Sequence, residues 1–221
     1  MPVDLTKLDD RTRARQLGNP EGEVGLAMAA ALNSMNARVH QEAYRALAPT
    51  TRNRILEIGF GNGHLVPDLM ALADDLSYDG IDISETMVAE ARGFNAALAA
   101  QGRFTAQLAK SSAMPFSDST FDRALALNTI YFWDDPRADL AEIRRVLRSG
   151  GWLVLGAIDP TGTKANPVFR HGFKLYEQDH IKELLRVAGF AESRINVFHE
   201  IRQLPNGGTI ENDYFIVIGY A

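Results

Sequence analysis

A short apolar run passes into three alternating glycines in the segment Arg54-Ile55-Leu56-Glu57-Ile58-Gly59-Phe60-Gly61-Asn62-Gly63-His64-Leu65-Val66. The apolar residues 55–58, rich in isoleucine, are typical of a buried strand. Beyond the glycines, apolar residues recur at helical spacing as far as Ala73, which predicts a helix. Glycines between the two elements let the backbone adopt positive φ and let a ligand approach without meeting a Cβ. The segment therefore predicts a ligand-binding turn, at which the free N–H groups of the helix also point.

Two classes of cofactor use such a turn. Dinucleotide folds have the pattern G-x-G-x-x-G, and counted from Gly59 its last glycine falls on His64. The pattern present is E-x-G-x-G-x-G, from Glu57 to Gly63. It resembles the first motif of class I S-adenosylmethionine-dependent methyltransferases, which implies that Glu57, Gly59, Gly61 and Gly63 contact the cofactor. The alternative is a glycine-rich turn that binds nothing.

Asp82 ends the second predicted strand and lies 23 positions after Gly59. This spacing is close to the roughly 20 residues expected for a carboxylate that binds the ribose hydroxyls. A carboxylate suits that role because its two oxygens only accept hydrogen bonds and can accept from both ribose hydroxyls. The alternative is that Asp82 caps the next helix, although Ser84 is the better cap candidate. We expect Ile83 and Met87 to contact the cofactor beside Asp82, with core packing as the alternative for Met87.

Residues 109–122 are similar to the family segment G-D-A-x-x-L-P-F-x-D-x-S-F-D. In the family, the aspartate of this segment accepts a hydrogen bond from the adenine amino group. Lys110 stands at its position, and lysine has donors only. The adenine amino group would then need another acceptor, which could be the hydroxyl of Ser111 or Ser112, a backbone carbonyl or water. Together with Ala113, these residues form the predicted adenine loop.

Asn128 follows the fourth predicted strand, and Tyr131 and Trp133 come shortly after it. Ligands of open parallel sheets bind beyond the carboxyl ends of the strands. We therefore expect Asn128 to contact the cofactor, and Tyr131 and Trp133 to contact the substrate. Asn128 and Tyr131 are also candidate catalytic residues. They keep the outer residues of the Asn-Pro-Pro-Tyr signature of amino-group methyltransferases, but both prolines are missing. The alternative for the aromatic residues is a place in the core.

Two further segments are predicted to cover the site. Residues 1–50 are predicted to form an arm and a helical cap, with Met35 as a substrate contact and Asn36 and His40 as further residues of interest; a purely structural packing helix is the alternative. Residues 158–175 contain few regular patterns, and a loop of this length is usually functional or disordered. We expect it to form a lid in which Phe173 contacts the substrate and His171 is a candidate general base. The alternative for His171 is simple solvation.

The composition narrows the classes of function. The chain has 221 residues, a net charge of −5 and no cysteine. The acidic balance speaks against nucleic acid as the main partner, and the absence of thiols excludes a thiolate metal site; no metal is predicted. The amino terminus lacks the pattern of a signal peptide, and no apolar run has membrane-spanning length. We expect a cytoplasmic protein without membrane insertion, with homodimerisation left open.

The expected fold is α/β: a Rossmann-like, doubly wound, seven-stranded sheet over residues 51–221, mostly parallel with an antiparallel last strand. Asn206-Gly207 predicts the turn of the final hairpin. The resemblance implies S-adenosylmethionine as cofactor and a small-molecule methyl acceptor, as in the quinone and sterol C-methyltransferases. Whether oxygen, nitrogen or carbon is methylated stays open. The alternatives are a non-catalytic binding module, a nucleic-acid amino methyltransferase and an NAD-dependent oxidoreductase.

Overall fold

The computed structural model describes residues 3–160, 166–203 and 209–221. Within these ranges, seven strands form one sheet in the order β3-β2-β1-β4-β5-β7-β6. The strands are β1 (Arg54–Ile58), β2 (Ser77–Asp82), β3 (Phe104–Leu108), β4 (Phe121–Leu127), β5 (Leu147–Ile158), β6 (Glu192–Gln203) and β7 (Thr209–Tyr220).

The pairing confirms the predicted sheet. Strands β1 to β5 pair in parallel, whereas β7 runs antiparallel to both β5 and β6. The chain order reverses beside β1, whose neighbours are β2 and β4. In sheets of this kind ligands bind at such a switch point. The predicted Asn206-Gly207 turn lies outside the described residues.

Helices lie between the strands and before the first of them. They are α1 (Asp10–Gly18), α2 (Gly22–Met35), α3 (Ala37–Leu47), α4 (Val66–Met70), α5 (Glu85–Phe94), α6 (Ala96–Ala100), α7 (Pro136–Val146) and α8 (Gln178–Val187). Shorter 3₁₀ turns cover Leu5–Lys7, Ile130–Phe132 and Pro167–Arg170. In the described ranges, no helix combines the length and apolarity needed to cross a membrane.

The helix after the glycines is shorter than the apolar pattern predicts. It ends at Met70, and Leu72 is exposed rather than packed. Asp75 then adopts a left-handed φ of +54°, which turns the chain towards β2. The apolar periodicity to Ala73 was therefore wrong about where the helix ends.

The core lies on both faces of the sheet. One buried cluster joins Leu56 of β1 to Leu140 of α7, and the other joins Ile55 of β1 to Leu47 of α3. Successive strand residues point to opposite faces, so a strand covered on both sides is buried throughout and mostly apolar. This explains why residues 55–58 are all buried, with Glu57 as the one polar residue among them.

Helix α3 packs directly on the sheet, although it belongs to the segment predicted as a cap. Its residues Val39, Ala43 and Leu47 are fully buried in the cluster shared with β1, β4, β5 and β7. The division of the chain at residue 50 stays a prediction. The packing of α3 fixes the position of the neighbouring helix α2, which covers the carboxyl ends of the strands.

Candidate functional site

One cavity, of about 720 Å³, lies at the carboxyl ends of β1, β2 and β4 and extends under α2 and α3. It brings together most of the residues that the sequence predicts as a site. These are Met35, Glu57, Gly59, Gly61, Gly63, Asp82, Ile83, Met87, Ser111, Ser112, Asn128, Tyr131, Trp133 and Phe173. Ala113 and His171 are not among the lining residues.

The three glycines of the turn have different physical roles. All adopt positive φ, between +62° and +71°. A Cβ on Gly59 would lie 2.2 Å from Cγ2 of Thr129, and a Cβ on Gly63 would lie 2.8 Å from Cβ of Ala91. A Cβ on Gly61 would meet nothing within 4 Å. The outer glycines are therefore needed for packing, while Gly61 leaves open space in the cavity wall.

Asp82 connects the end of β2 to the glycine turn. Its Oδ2 accepts a hydrogen bond from the Gly61 backbone N–H at 3.0 Å, and its Oδ1 accepts one from Ser84 N–H at 2.9 Å. The cap of α5 is Ser84, whose Oγ accepts from Met87 N–H at 3.1 Å. Burial raises the pKa of Asp82 to about 6. The carboxylate thus holds the turn, and each of its oxygens keeps a further lone pair for a ligand.

Glu57 forms a second buried carboxyl group in the cavity. Only 4% of its surface is exposed, and its Oε2 accepts a hydrogen bond from the Tyr78 hydroxyl at 2.8 Å. Burial raises the pKa of Glu57 to about 7, and the charge of Asp82 adds to this rise. Two buried carboxyl groups therefore lie at the glycine end of the cavity.

The predicted adenine loop begins beside Asp82. The N–H of Ala109 donates to the Asp82 carbonyl oxygen at 3.0 Å. Two residues later, the Ser111 hydroxyl donates to Oδ1 of Asp139, a buried residue of α7. Lys110 Nζ instead lies 3.6 Å from the exposed carboxylate of Asp134. No sequence motif marks Asp139, because it comes from a helix 28 residues further along the chain.

The opposite end of the cavity is aromatic. Asn128 adopts a left-handed φ of +56°, and its Oδ1 accepts from the Tyr131 hydroxyl at 3.1 Å. The same hydroxyl accepts from Ile158 N–H. Burial holds the pKa of Tyr131 well above its usual range. Tyr131 is therefore a neutral residue with its hydroxyl engaged, which fits positioning better than proton transfer.

Phe173 anchors the described part of the predicted lid, residues 166–175. Its ring lies 4.6 Å from Phe132 and 5.5 Å from Tyr131, between centroids, and 4.8 Å from Phe169 of the 3₁₀ turn. Trp133 is buried in the same core cluster and also faces the cavity. The aromatic residues thus belong to the core and to the cavity wall at once.

The amino-terminal segment closes over the other side. The Ser84 hydroxyl donates to the Pro20 carbonyl oxygen, and Gly22 N–H donates to Oγ1 of Thr86 at 3.2 Å. These bonds hold the connection between α1 and α2 against the start of α5. Met35, at the end of α2, lines the cavity.

His40 of α3 lines the cavity; the sequence singled it out in the predicted cap, beside Met35 and Asn36, but gave it no role. Its Nδ1 lies 2.9 Å from the Asn36 carbonyl oxygen. A carbonyl only accepts, so Nδ1 carries the proton and Nε2 keeps a free lone pair. Burial lowers the pKa of His40, which favours the neutral ring. The helical spacing of Asn36, His40 and Tyr44 was the available sequence signal. Within the part of the chain that the structure describes, no cluster of His, Cys, Asp and Glu could hold a metal ion.

The different surroundings of Gly61 and Gly59 predict losses of stability of different size for their alanine variants. We expect Gly61→Ala to lower the free energy of unfolding by about 1–2 kcal/mol, the cost of a left-handed alanine. Gly59→Ala should cost about 2–5 kcal/mol, because the clash with Thr129 adds to that strain. Urea unfolding of both variants measures the difference. Equal losses would contradict the assigned roles.

The buried Glu57 predicts a pH dependence of stability. As the pH rises from about 4.5 to about 7, the unfolded chain loses the proton of Glu57 before the folded protein does, so the free energy of unfolding falls. Glu57→Gln removes this term and keeps an acceptor for Tyr78. We expect the variant to gain stability relative to the wild type as the pH rises through this window. Urea titrations at several pH values test it, with exposed Glu90→Gln as control; parallel curves for Glu57→Gln and wild type would refute it.

The comparisons with known proteins agree with this geometry. Residues 56–155 match a family described as a methyltransferase domain. An O-methyltransferase of Pyrenophora dematioidea is 31% identical over 160 residues, which cover 69% of this chain and 60% of that protein. The chain spans 57% to 64% of the length of this and two other curated O-methyltransferases.

Two solved structures share the fold. A SAM-dependent methyltransferase from Aquifex aeolicus has a TM-score of 0.62 and 17% identity, covering 96% of this chain and 99% of that one. The [4+2]-cyclase SpnF has a TM-score of 0.66 and 16% identity, covering 97% and 85%. At such identities the structures show the fold alone. The matched domain, together with the glycine turn and the sheet order, identifies residues 56–155 as a class I S-adenosylmethionine-dependent methyltransferase domain.

Proposed function

We propose that this protein transfers a methyl group from S-adenosylmethionine to a hydroxyl group of a small, largely apolar acceptor. The observation that carries the proposal is the single cavity, which joins the glycine turn and two carboxyl groups at one end to an aromatic chamber at the other. The names of the O-methyltransferase relatives support oxygen as the methylated atom. Because the chain spans less than two thirds of those relatives, its activity rests on this argument and on experiment.

The residues at the glycine end fit the proposed cofactor. The space in front of Gly61, which a Cβ would fill, admits the amino-acid part and the ribose. Asp82 is an acceptor suited to the ribose hydroxyls, and Glu57 is an acceptor suited to the α-ammonium group. When bound, S-adenosylmethionine would supply a methyl group on a positively charged sulfur, which leaves as a neutral thioether. The protein's main contribution is to hold the reactants close and in line, worth on the order of 7–11 kcal/mol.

The chamber beyond Asn128 suits an apolar acceptor. Its walls include Met28, Leu32 and Met35 of α2, and it is closed by Val168 and Phe169 of the 3₁₀ turn. Small-molecule sites are mostly apolar, with a few polar groups that fix orientation. The polar residues that line the cavity beside these walls include Asn33, Asn36, His40, Asn128 and Asn166. This composition supports a ring-bearing or aliphatic molecule with few polar substituents.

His40 is our choice of proton acceptor for the hydroxyl. Of the three catalytic candidates from the sequence, Tyr131 uses its hydroxyl in two hydrogen bonds, and Asn128 has no basic atom. The third, His171, is not part of the cavity wall. In His40 the lone pair of Nε2 is free and its tautomer is fixed by Asn36. His40 Nε2 would take the proton of the acceptor hydroxyl, while the bound cofactor would supply the methyl group.

A second candidate function is binding of the same cofactor without methyl transfer. Lys110, at the position of the family's adenine-binding aspartate, favours it, because that substitution removes an acceptor. The similarity to a [4+2]-cyclase also supports it, since that protein's name describes a different reaction on this fold. An NAD-dependent oxidoreductase is disfavoured by His64, and a nucleic-acid methyltransferase by the acidic net charge.

Several broader expectations are also proposals. We propose that the protein acts in the cytoplasm, that its acceptor is not a nucleic acid, and that residues 1–50 act as a cap on the domain of residues 51–221. The absence of cysteine and the contacts of Pro20 and Gly22 with α5 support these points. Homodimerisation is the assembly we would test first, by light scattering.

Cofactor binding tests the proposal directly. We expect calorimetry to detect S-adenosylmethionine and S-adenosylhomocysteine binding to the wild-type protein and no binding of NAD. Asp82→Asn should weaken both about 10- to 150-fold, because a hydrogen bond to a charged group is worth about 1.5–3 kcal/mol. Asp75→Asn, an exposed carboxylate outside the cavity, is the control. If the wild-type protein ignores both adenosyl compounds, the methyl-transfer proposal fails.

If His40 is the proton acceptor, its substitution should slow turnover without weakening cofactor binding. With a panel of hydroxylated aromatic compounds, His40→Gln should lower kcat about 10²- to 10⁴-fold, the usual contribution of a general base, while the Kd of S-adenosylmethionine stays within about threefold. In the wild type, kcat should fall at acid pH as His40 is protonated, and the variant should lose this dependence. Exposed His180→Gln is the control, and His171→Gln tests the rival base. An undiminished kcat in His40→Gln would remove His40 from the mechanism.

A further inference from the structure

Lys110 leaves the proposed cofactor without an evident partner for its adenine amino group. An amino group on a purine ring donates hydrogen bonds, and a lysine ammonium can only donate. The Lys110 side chain is also directed elsewhere, since its Nζ lies 3.6 Å from the Asp134 carboxylate and the side chain is 71% exposed. An acceptor has to come from elsewhere in the cavity wall.

Four carboxyl groups stand among the described residues that line the cavity. Glu57 is bonded to Tyr78, and Asp82 holds two backbone N–H groups at the glycine turn. Asp134 is paired with Lys110 and its side chain is 92% exposed. Asp139 differs from all three. It is 3% exposed, and among the other described residues its side-chain donor is the Ser111 hydroxyl, which bonds to Oδ1.

The position of Asp139 matches the far end of a nucleoside whose ribose lies at Asp82. Leu108 pairs with Asp82 across β3 and β2, so the loop from Ala109 to Ser111 starts at the proposed ribose site. It ends at Ser111, whose hydroxyl donates to Asp139. The exposed side chain of Ile83 offers an apolar surface beside the same loop. The Asp139 carboxylate is therefore hydrogen-bonded to the end of the loop that would contact the purine.

We propose that Asp139, oriented by the Ser111 hydroxyl, accepts a hydrogen bond from the adenine amino group of the cofactor and so selects a 6-amino purine. The inference rests on the proposed function, because it requires an adenosyl ligand in this cavity. It moves the acceptor from the adenine loop to helix α7 and explains how a chain with Lys110 can still recognise the base.

The electrostatics of the pair support the assignment. Burial raises the pKa of Asp139, and the negative charges of Asp134 and Asp135 add to the rise, while the bond from Ser111 opposes it. A buried carboxylate is costly unless enough donors reach its oxygens. The purine amino group is such a donor. A 6-oxo group would instead place its lone pairs against those of the carboxylate.

The experiment compares S-adenosylhomocysteine with its 6-deamino analogue, in which a hydrogen replaces the amino group. By calorimetry we expect the wild-type protein to bind S-adenosylhomocysteine about 10- to 150-fold more tightly, the value of a hydrogen bond to a charged acceptor. Asp139→Ala should reduce this preference to within about threefold and leave the affinity for the analogue nearly unchanged. Asp134→Ala tests the neighbouring carboxylate and should keep the wild-type preference.

Each other outcome has a defined meaning. A wild-type protein that binds both compounds equally, an Asp139→Ala variant that keeps the preference, or an Asp134→Ala variant that loses it would overturn the role of Asp139. If Asp139→Ala does not fold, a crystal structure of the wild-type complex decides: the amino nitrogen should lie within about 3.2 Å of Oδ2, and a separation beyond about 4 Å would overturn the assignment. If S-adenosylhomocysteine does not bind the wild type at all, the proposed function fails instead.

Discussion

The hydrogen bond from the Gly61 backbone to the Asp82 carboxylate is the contact on which the site depends. It joins the turn after β1 to the end of β2, the two strands that flank the start of the cavity. The turn can approach Asp82 because Gly59 and Gly63 remove the side chains that would collide with Thr129 and Ala91. Asp82 then satisfies a backbone N–H that would otherwise lie unpaired at the cavity wall. Shape and charge are thus set by one short contact between neighbouring strands.

The other end of the cavity depends on packing rather than on a single bond. Helix α3 is fixed by Val39, Ala43 and Leu47 against the sheet, and this packing carries His40 to the cavity. The 3₁₀ turn of the lid is held by stacked and edge-on contacts of Phe173. Apolar packing of this kind has little chemical specificity, which suits a chamber whose occupant is mostly apolar. The polar and apolar halves of the site therefore have separate structural origins.

The sequence predicted which residues meet at the glycine turn, because the signals there are local; their roles towards a ligand stay predictions. The glycine spacing, the acidic end of β2 and the strand lengths are each readable within a few residues, and Asp82 does lie against Gly61. The place of Asp139 and the role of His40 could not be found in this way, because both residues lie on helices distant in sequence from the glycine turn and reach the cavity only through tertiary packing. The length of α4 was overestimated because the apolar periodicity continues to Ala73, whereas the helix ends at Met70 and Leu72 is exposed.

The buried carboxyl groups place the site under electrostatic stress. Burial raises the pKa values of Glu57, Asp82 and Asp139, so ionising them in the folded protein costs stability. A ligand that brings hydroxyl, amino and ammonium donors removes part of that cost when it binds. Binding would then stabilise the folded protein beyond the contacts themselves. Natural proteins tolerate such local conflict mainly at functional sites, and here all three conflicts lie around one cavity. The same reasoning favours a ligand with positive charge over a neutral one, because a sulfonium or ammonium group lowers the free energy of the ionised carboxylates.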